Sequence, residues 1–276
     1  MSYLVCPCCG QPLEKQDRRF VCPHGHSFDM AKEGYVNLLL PNHKRSHDPG
    51  DSREMCQARS RFFARDPYRV LREGLQEAVA RQLGELPSPA IADVGCGQGY
   101  YTISLWKHLT AQGQVPAMLG TDISKFALRQ AAKACPDITW AVASLFALPV
   151  ADASLDCVVD SFAPLAWEEF HRVLRPSGLL ALAIPGPRHL WGLKEVLYPE
   201  PYPNPPKEFH PPGFESVAQL TFTDLLTVEG QESIQSLFHM TPYAFRTPEA
   251  GQKALANLKT LTTPVDFQLH LLRRGC

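Results

Sequence analysis

Ile91-Ala92-Asp93-Val94-Gly95-Cys96-Gly97-Gln98-Gly99-Tyr100-Tyr101 decides the fold. Apolar residues with one acid lead into three alternating glycines, and an amphipathic run from Tyr101 to Leu109 follows. That order predicts strand, tight turn, helix. Glycine lets the backbone turn sharply and approach a ligand closely, and the helix start behind it offers free N–H groups. The dinucleotide pattern G-x-G-x-x-G does not fit, because Gly95, Gly97 and Gly99 fall at every second position behind Asp93. The next strand, Ala117-Met118-Leu119-Gly120-Thr121-Asp122, ends on an acid. A carboxylate there accepts from ribose hydroxyls in nucleotide-binding α/β folds. A glycine turn can serve only to pack helix on strand, but turn and acid together point to a nucleotide-like ligand.

Outward from this stretch the alternation continues. Ser124 caps a predicted helix through Ala134; Ile138 to Ala143 and Leu155 to Ser161 read as strands, and Trp167 to Leu174 as a helix leading to a fifth strand. Strands alternating with helices give a doubly wound sheet. Upstream, Ser52 caps one helix, and a second runs from about Tyr68 to Leu83 with Val70, Leu71, Leu75 and Val79 at helical spacing. Tyr68 either packs or folds over a ligand. Downstream, Phe222 to Glu229 and Val265 to Leu272 read as strands around a short helix, Ser233 to Phe238. The proline-rich run Pro199 to Pro212 reads as an extended, mobile loop.

In such sheets ligands sit beyond the carboxyl ends of the strands. Two loops there carry chemistry. In Asp160-Ser161-Phe162-Ala163-Pro164, Asp160 is a candidate general base or a loop carboxylate that caps a helix, and Phe162 is a candidate platform for a base. In Pro185-Gly186-Pro187-Arg188-His189-Leu190, a stiff turn projects Arg188 and His189; the plainer reading is a surface charge and a helix start.

The N-terminal residues differ in kind. Cys6-Pro7-Cys8-Cys9 and Cys22-Pro23-His24-Gly25-His26 form two knuckles twelve residues apart. Cys6, Cys9, Cys22 and His26 have the spacing of a tetrahedral Cys3His zinc site, with Cys8 and His24 as spare candidates. Such a small module needs metal binding to supply folding energy. Asn42 to Asp51 is a basic, turn-rich run containing Lys44 and Arg45, either a solvated linker or a phosphate-contacting arm.

The 276 residues suffice for one large domain and a small one. Formal net charge is −1, so any nucleic-acid surface is local rather than global. Four of nine cysteines crowd into the first 22 residues, a pattern of metal binding rather than disulfides. No apolar run approaches the ~20 residues a bilayer span needs, and the start lacks the basic and apolar regions of a signal peptide. A cytoplasmic protein without membrane contact is expected.

The D-x-G-x-G-x-G stretch resembles the cofactor loop of class I S-adenosylmethionine (AdoMet) methyltransferases. With the Cys6-to-His26 knuckles, Phe28-Asp29-Met30-Ala31-Lys32-Glu33-Gly34-Tyr35-Val36-Asn37-Leu38, His43-Lys44-Arg45-Ser46 and the Pro185-to-Leu190 turn, the chain resembles the bacterial 23S rRNA (guanine-N1)-methyltransferases. The resemblance implies a Rossmann-like sheet with an N-terminal zinc module. It implies Zn2+ at Cys6, Cys9, Cys22 and His26, and AdoMet contacts at Tyr68, Gly97, Gln98 and His189, beside the motif residues Asp93, Gly95, Gly99 and Asp122. Ser144 stands where class I enzymes often place an acid on the adenine amino group. A 23S rRNA hairpin is the implied partner, held by Lys44, Arg45 and Arg188, with guanine 745 favoured over guanine 748; a second copy of the chain is a further partner to consider. The implied division is 1–40 zinc module, 41–84 basic linker and helices, and 85–276 transferase domain. Two rival readings are a small-molecule methyltransferase, which leaves the zinc module unexplained, and a non-catalytic zinc-dependent RNA-binding protein.

Overall fold

The computed structural model describes residues 3–40, 50–245 and 247–275. Near the N-terminus lie three short strands, β1 (Glu14–Gln16), β2 (Arg19–Val21) and β3 (Ser27–Asp29), paired antiparallel as their own small sheet. The β1–β2 turn is closed by Asp17 at φ +51°, a conformation that Asp tolerates better than most residues. The fourth strand, β4 (Tyr35–Asn37), leaves that sheet.

Two helices follow, α1 (Arg53–Phe63) and α2 (Arg69–Leu83). Ser52 caps α1 as its sequence predicts, its hydroxyl accepting from the Met55 N–H. Then come β5 (Ala90–Val94), α3 (Tyr100–Ala111), β6 (Ala117–Asp122), α4 (Lys125–Ala134), β7 (Thr139–Val142), β8 (Leu155–Ser161), α5 (Trp167–Val173) and β9 (Leu174–Pro185). The C-terminal part adds α6 (Trp191–Leu197), β10 (Phe214–Glu229), α7 (Gln231–His239), α8 (Glu249–Ala256) and β11 (Thr260–Arg274).

The large sheet has eight strands in the order β10-β11-β9-β8-β5-β6-β7-β4. β11 runs antiparallel to both its neighbours, while the pairs from β9 to β4 are parallel. The order reverses at β5, whose neighbours are β6 and β8. That crevice is where an open α/β sheet binds ligands. β5 is buried along its whole length, the mark of a strand covered on both faces.

Two expectations change in extent and a third in mobility. β10 begins at Phe214 rather than Phe222, and β11 spans Thr260–Arg274 rather than the shorter Val265-to-Leu272 run. The first half of β10 is mostly exposed and its register with β11 shifts between Ser216 and Ala218, which interrupts the alternation. The proline-rich run is without regular structure, but it is tied down. Lys194 Nζ donates to Tyr202 O and Asn204 Oδ1, both at 2.8 Å, and Asn204 Nδ2 donates to Gly186 O at 2.8 Å. That ring of bonds anchors Tyr202 to Asn204 to the turn after β9.

The small sheet and the large one share a core. Leu4, Leu13, Phe20, Val36 and Leu38 pack with Ala92, Val94, Leu119, Val150 and Val158 on one face of the large sheet. Backbone bonds stitch the same join: Val5 N–H donates to Pro149 O at 3.0 Å and Ala151 N–H to Tyr3 O at 2.9 Å. Strand β4 falls before residue 40, yet it hydrogen-bonds to β7 as an edge of the large sheet.

Candidate metal centre and active site

The two N-terminal knuckles bring one atom each from Cys6, Cys9, Cys22 and His26 within 4.8 Å of one another. Cys9 Sγ stands 3.7 Å from Cys22 Sγ, and His26 Nδ1 stands 3.3 Å from Cys22 Sγ and 3.6 Å from Cys6 Sγ. Tetrahedral zinc with Zn–S near 2.3 Å and Zn–N near 2.0 Å separates sulfurs by about 3.8 Å and sulfur from nitrogen by about 3.5 Å. The donor set therefore fits zinc in chemistry and in spacing. Tight turns set it: Gly10 N–H donates to Cys6 O, and Gly25 N–H to Cys22 O. Cys8 and His24 are exposed and stand outside the cluster.

The second site lies at the switch point. A cleft of about 330 Å³ is lined by Gly95 and Gly97 after β5, Asp122 and Ile123 after β6, Ala143 to Phe146 after β7, Ser161 to Pro164 after β8, and Gly50, Asp51 and Arg59. It is large enough for a nucleotide-sized ligand. Gly97 has φ +55° and nothing within 4 Å of where a Cβ would stand, so the open side of this turn faces the space a ligand needs. Gly95 has φ +68°, and a Cβ there would meet the Ala163 Cβ at 2.5 Å. Only glycine allows the β5 turn and the β8 loop to close on each other in this way.

Asp122 is fixed at the cleft by two backbone donors. Its Oδ2 accepts from the Gly97 N–H at 2.8 Å and its Oδ1 from the Ser124 N–H at 2.7 Å. Burial raises its pKa against these bonds. Each oxygen keeps a further lone pair for ligand hydroxyls.

The other expected residues divide. Gly95, Gly97, Asp122 and Ser144 line the cleft; Tyr68, Asp93, Gln98, Gly99, Asp160, Arg188 and His189 do not. Asp93 is buried beneath the turn and accepts from the Thr102 hydroxyl, and burial raises its carboxyl to about 7. Gln98 turns its amide to α1, donating to Cys56 O and to Ser60 Oγ at 3.2 Å. Gly99 is the N-cap of α3, at φ +80°. Asp160 is fully buried, its Oδ1 accepting from the Ala163 N–H at 3.0 Å and its Oδ2 without a partner. Burial pushes the Asp160 carboxyl up to about 8, with Asp93 adding to the shift.

Tyr68 and His189 meet one ring layer behind the cleft. Their centroids are 5.7 Å apart, and Phe267 lies 4.8 Å from Tyr68 and 4.7 Å from His189. Phe267 is in turn 5.8 Å from Phe162, which lines the cleft. His189 Nδ1 accepts from the Asp266 N–H at 3.3 Å, so the proton of the neutral ring sits on Nε2. Burial lowers its pKa to about 3. His189 is thus a neutral donor near pH 7. Arg188 is exposed and stacks 4.7 Å from the Trp191 ring, its backbone N–H held by Asp266 Oδ2 at 2.8 Å. Lys44 and Arg45 lie outside the described residues.

Sequence reasoning missed Arg59, which lines the cleft and pairs with Asp51 at 2.8 Å. Nothing in the spacing of α1 marked Arg59, because a charge on an amphipathic helix ordinarily faces solvent. Phe162 has a stronger signature in the structure than in the sequence. It holds φ +67° and is 39% exposed, with its N–H bonded to Ala183 O. A left-handed aromatic residue is rare, and such outliers concentrate at functional sites.

Residues 4–47 match the family description "RlmA, N-terminal", a zinc ribbon, and residues 91–178 match "Methyltransferase domain". A putative 23S rRNA (guanine-N(1)-)-methyltransferase of Micromonospora griseorubida is 39% identical, over 71% of this chain and 70% of the relative. The chain belongs to the 23S rRNA (guanine-N1)-methyltransferase family. The 23S rRNA (guanine(748)-N(1))-methyltransferase of Streptomyces fradiae is 35% identical, over 71% of this chain and 68% of that one. A putative 23S rRNA (guanine-N(1)-)-methyltransferase of Bacillus subtilis, YxjB, is 29% identical over 97% and 96%. The protein is an AdoMet-dependent methyltransferase with a zinc ribbon, as its motifs imply. Among the described residues no helix is long and apolar enough to cross a membrane.

Proposed function

We propose that this protein transfers a methyl group from AdoMet to N1 of a guanine in a hairpin of 23S rRNA. The observation that carries the reading is the joining of a Cys3His cluster to a switch-point cleft through one continuous core. The cofactor supplies an electrophilic methyl on a sulfonium, so what the chain must provide is position. Cys6, Cys9, Cys22 and His26 hold the zinc. Asp122, Gly95, Gly97 and Ser144 hold the nucleoside part of the cofactor, while Asp93, Gln98 and Gly99 set the turn that presents it. Tyr68 and His189 support that site from the ring layer behind.

Guanine N1 lies on the Watson–Crick edge, so the base must be unpaired or flipped to react. Phe162, exposed at the cleft, is the platform for it. N1 must lose its proton, and a base with a pKa near the working pH does this best. We assign that step to Asp160, whose unpaired Oδ2 lies one residue before the cleft-lining Ser161. A second reading follows from its bond to Ala163: the carboxylate only holds the β8 loop. Asp160→Asn separates the two, because Asn keeps the Oδ1 acceptor. A collapse of turnover and loss of its rise toward pH 8 supports the base; an unchanged rate and profile removes it.

Lys44, Arg45 and Arg188 would hold RNA phosphates, which position the substrate without reading its sequence. Residues 1–40 form the zinc module, 41–84 a linker with two helices, and 85–276 the transferase domain, with β4 lent to the large sheet. A second copy of the chain could pair along the outer edge of β10, which ends the sheet order. An rRNA substrate supports a cytoplasmic location. The family resemblance favours guanine 745 as the target over 748, the position in the name of the Streptomyces fradiae relative. The deciding experiment incubates protein and labelled AdoMet with 23S rRNA lacking the modification, then maps methylated nucleosides by mass spectrometry. N1-methylguanosine at 745 supports the full reading, at 748 corrects the position, and no transfer to rRNA overturns the substrate.

A further inference from the structure

The cleft has a charge problem that its motif residues do not solve. Asp51 and Asp122 line it, and buried Asp93 and Asp160 lie behind it. These suit the sulfonium and ammonium of AdoMet. The same ligand carries a carboxylate, and a carboxylate among acids needs a cation. Among the described residues, Arg59 is the one basic side chain lining the cleft.

Arg59 sits on α1, eight residues before Pro67, where the chain turns toward α2 and its N-cap Tyr68. Its side chain is 30% exposed, and one guanidinium nitrogen, Nη2, reaches Asp51 Oδ2 at 2.8 Å. Its Nε is buried and has no partner. That nitrogen faces protein, so a ligand in the cleft would meet the guanidinium through its terminal nitrogens. The guanidinium presents parallel N–H groups in a fork that matches a carboxylate. The helix is held in place from the cleft side: Gln98 of the glycine turn donates to Cys56 O and Ser60 Oγ, on either side of Arg59 in sequence. Ser124, at the start of α4, donates to Asp51 O at 2.8 Å. Both members of the Arg59–Asp51 pair are therefore fixed to the two elements that carry Gly97 and Asp122.

We propose that Arg59 binds the methionine carboxylate of AdoMet, with Asp51 holding the guanidinium in place. This rests on the reading that the cleft takes AdoMet. It adds a residue on α1, outside the glycine turn and the strand-end acid, and it explains why Gln98 points away from the cleft. Gln98 positions the helix, and the helix delivers the cation.

The test uses the full zinc-loaded chain and two probes, AdoMet and decarboxylated AdoMet, with affinities read by calorimetry. The wild-type protein is expected to prefer AdoMet by roughly tenfold to a hundredfold, the range for a charge-assisted bond. Arg59→Gln is expected to lose that preference, weakening AdoMet while leaving the decarboxylated probe within about twofold. Arg59→Lys is expected to recover part of it. Zinc content and Tm equal to wild type confirm that the variants are folded; should Arg59→Gln fail to fold, Arg59→Lys decides, a reduced preference supporting the proposal and an unchanged one overturning it. Equal affinity of the wild type for both probes overturns the proposal. So does an equal loss for both probes in Arg59→Gln, which assigns Arg59 to the fold. An unchanged AdoMet affinity with a raised KM for RNA overturns it in favour of an RNA contact. A wild-type protein that binds neither probe overturns the AdoMet reading of the cleft itself.

Discussion

The zinc cluster and the cofactor cleft were both expected from short motifs, and they came out differently. All four expected metal ligands converge within 4.8 Å. Of the nine expected cofactor residues, four line the cleft. The difference is physical. A tetrahedral ion constrains its ligands directly, so two knuckles with fixed internal spacing nearly determine the geometry. A cleft is assembled from loops far apart in sequence, and the residue type alone does not say which way a side chain turns. Asp93, Gln98 and Gly99 all belong to the glycine stretch, yet they build its underside, its link to α1 and its helix start.

The sharpest way to break the contrast is at the metal. Cys22 is buried in the core that the zinc module shares with the large sheet. Cys22→Ser is expected to abolish stoichiometric zinc, measured by elemental analysis, and to remove the sharp thermal transition. Structural zinc supplies on the order of 10 kcal/mol in isolated modules, more than a marginally stable domain can lose. If the variant keeps its Tm, the knuckles fold without metal and the contrast disappears.

The next effect divides the cleft from the layer behind it. Asp122→Ala is expected to weaken AdoMet by about tenfold or more, because it removes the acceptor that two backbone N–H groups hold at the cleft. His189→Asn, behind Phe267, is expected to cost less. Calorimetry on both variants decides the order. If His189→Asn weakens AdoMet as much as Asp122→Ala, the Tyr68–His189 layer must reach the cofactor directly, and a ring movement on binding follows.

The sheet was legible for the same reason as the metal. Buried parallel strands are short apolar runs between turn residues, and Ile91 to Val94, Ala117 to Asp122 and Leu155 to Ser161 all announce themselves. The exposed half of β10 did not, because an edge strand carries no such run. Helix α8 was missed, since eight residues give too few turns for a period to show, and of α6 only a start near His189 was weighed. Arg59 was invisible because its function depends on where α1 lies against the switch point, a tertiary fact. The pKa shifts at Asp160 and His189 are likewise products of burial, which no local pattern encodes.

A smaller effect is expected at the cleft's edge. Phe162→Ala removes an exposed ring without touching a cofactor-lining polar group. If Phe162 stacks on the target base, the KM for the rRNA hairpin rises roughly tenfold, the worth of one base–aromatic contact, while AdoMet affinity holds. An effect on AdoMet instead would join Phe162 to the ring layer of Tyr68 and Phe267.

The least effect separates Asp160's two readings through stability rather than turnover. In the unfolded chain this carboxyl titrates near 3.9; folded, burial holds it up to about 8. A raised folded pKa gives stability that is fully present below the unfolded value and is lost as pH rises toward the folded one. Wild type therefore weakens between about pH 4 and pH 8, where folding must either keep the proton or bury a charge. Asp160→Asn has no such proton and keeps the acceptor for the Ala163 N–H. Thermal unfolding at two pH values reads this out: the variant and wild type are expected to match near pH 4, and the variant to melt several degrees higher near pH 8. A stabilised variant that has also lost turnover is the signature of a buried base kept for chemistry at a cost to the fold. A variant with equal Tm at both pH values would mean that burial does not hold the Asp160 carboxyl up, and the assignment of a base poised near pH 8 would fall.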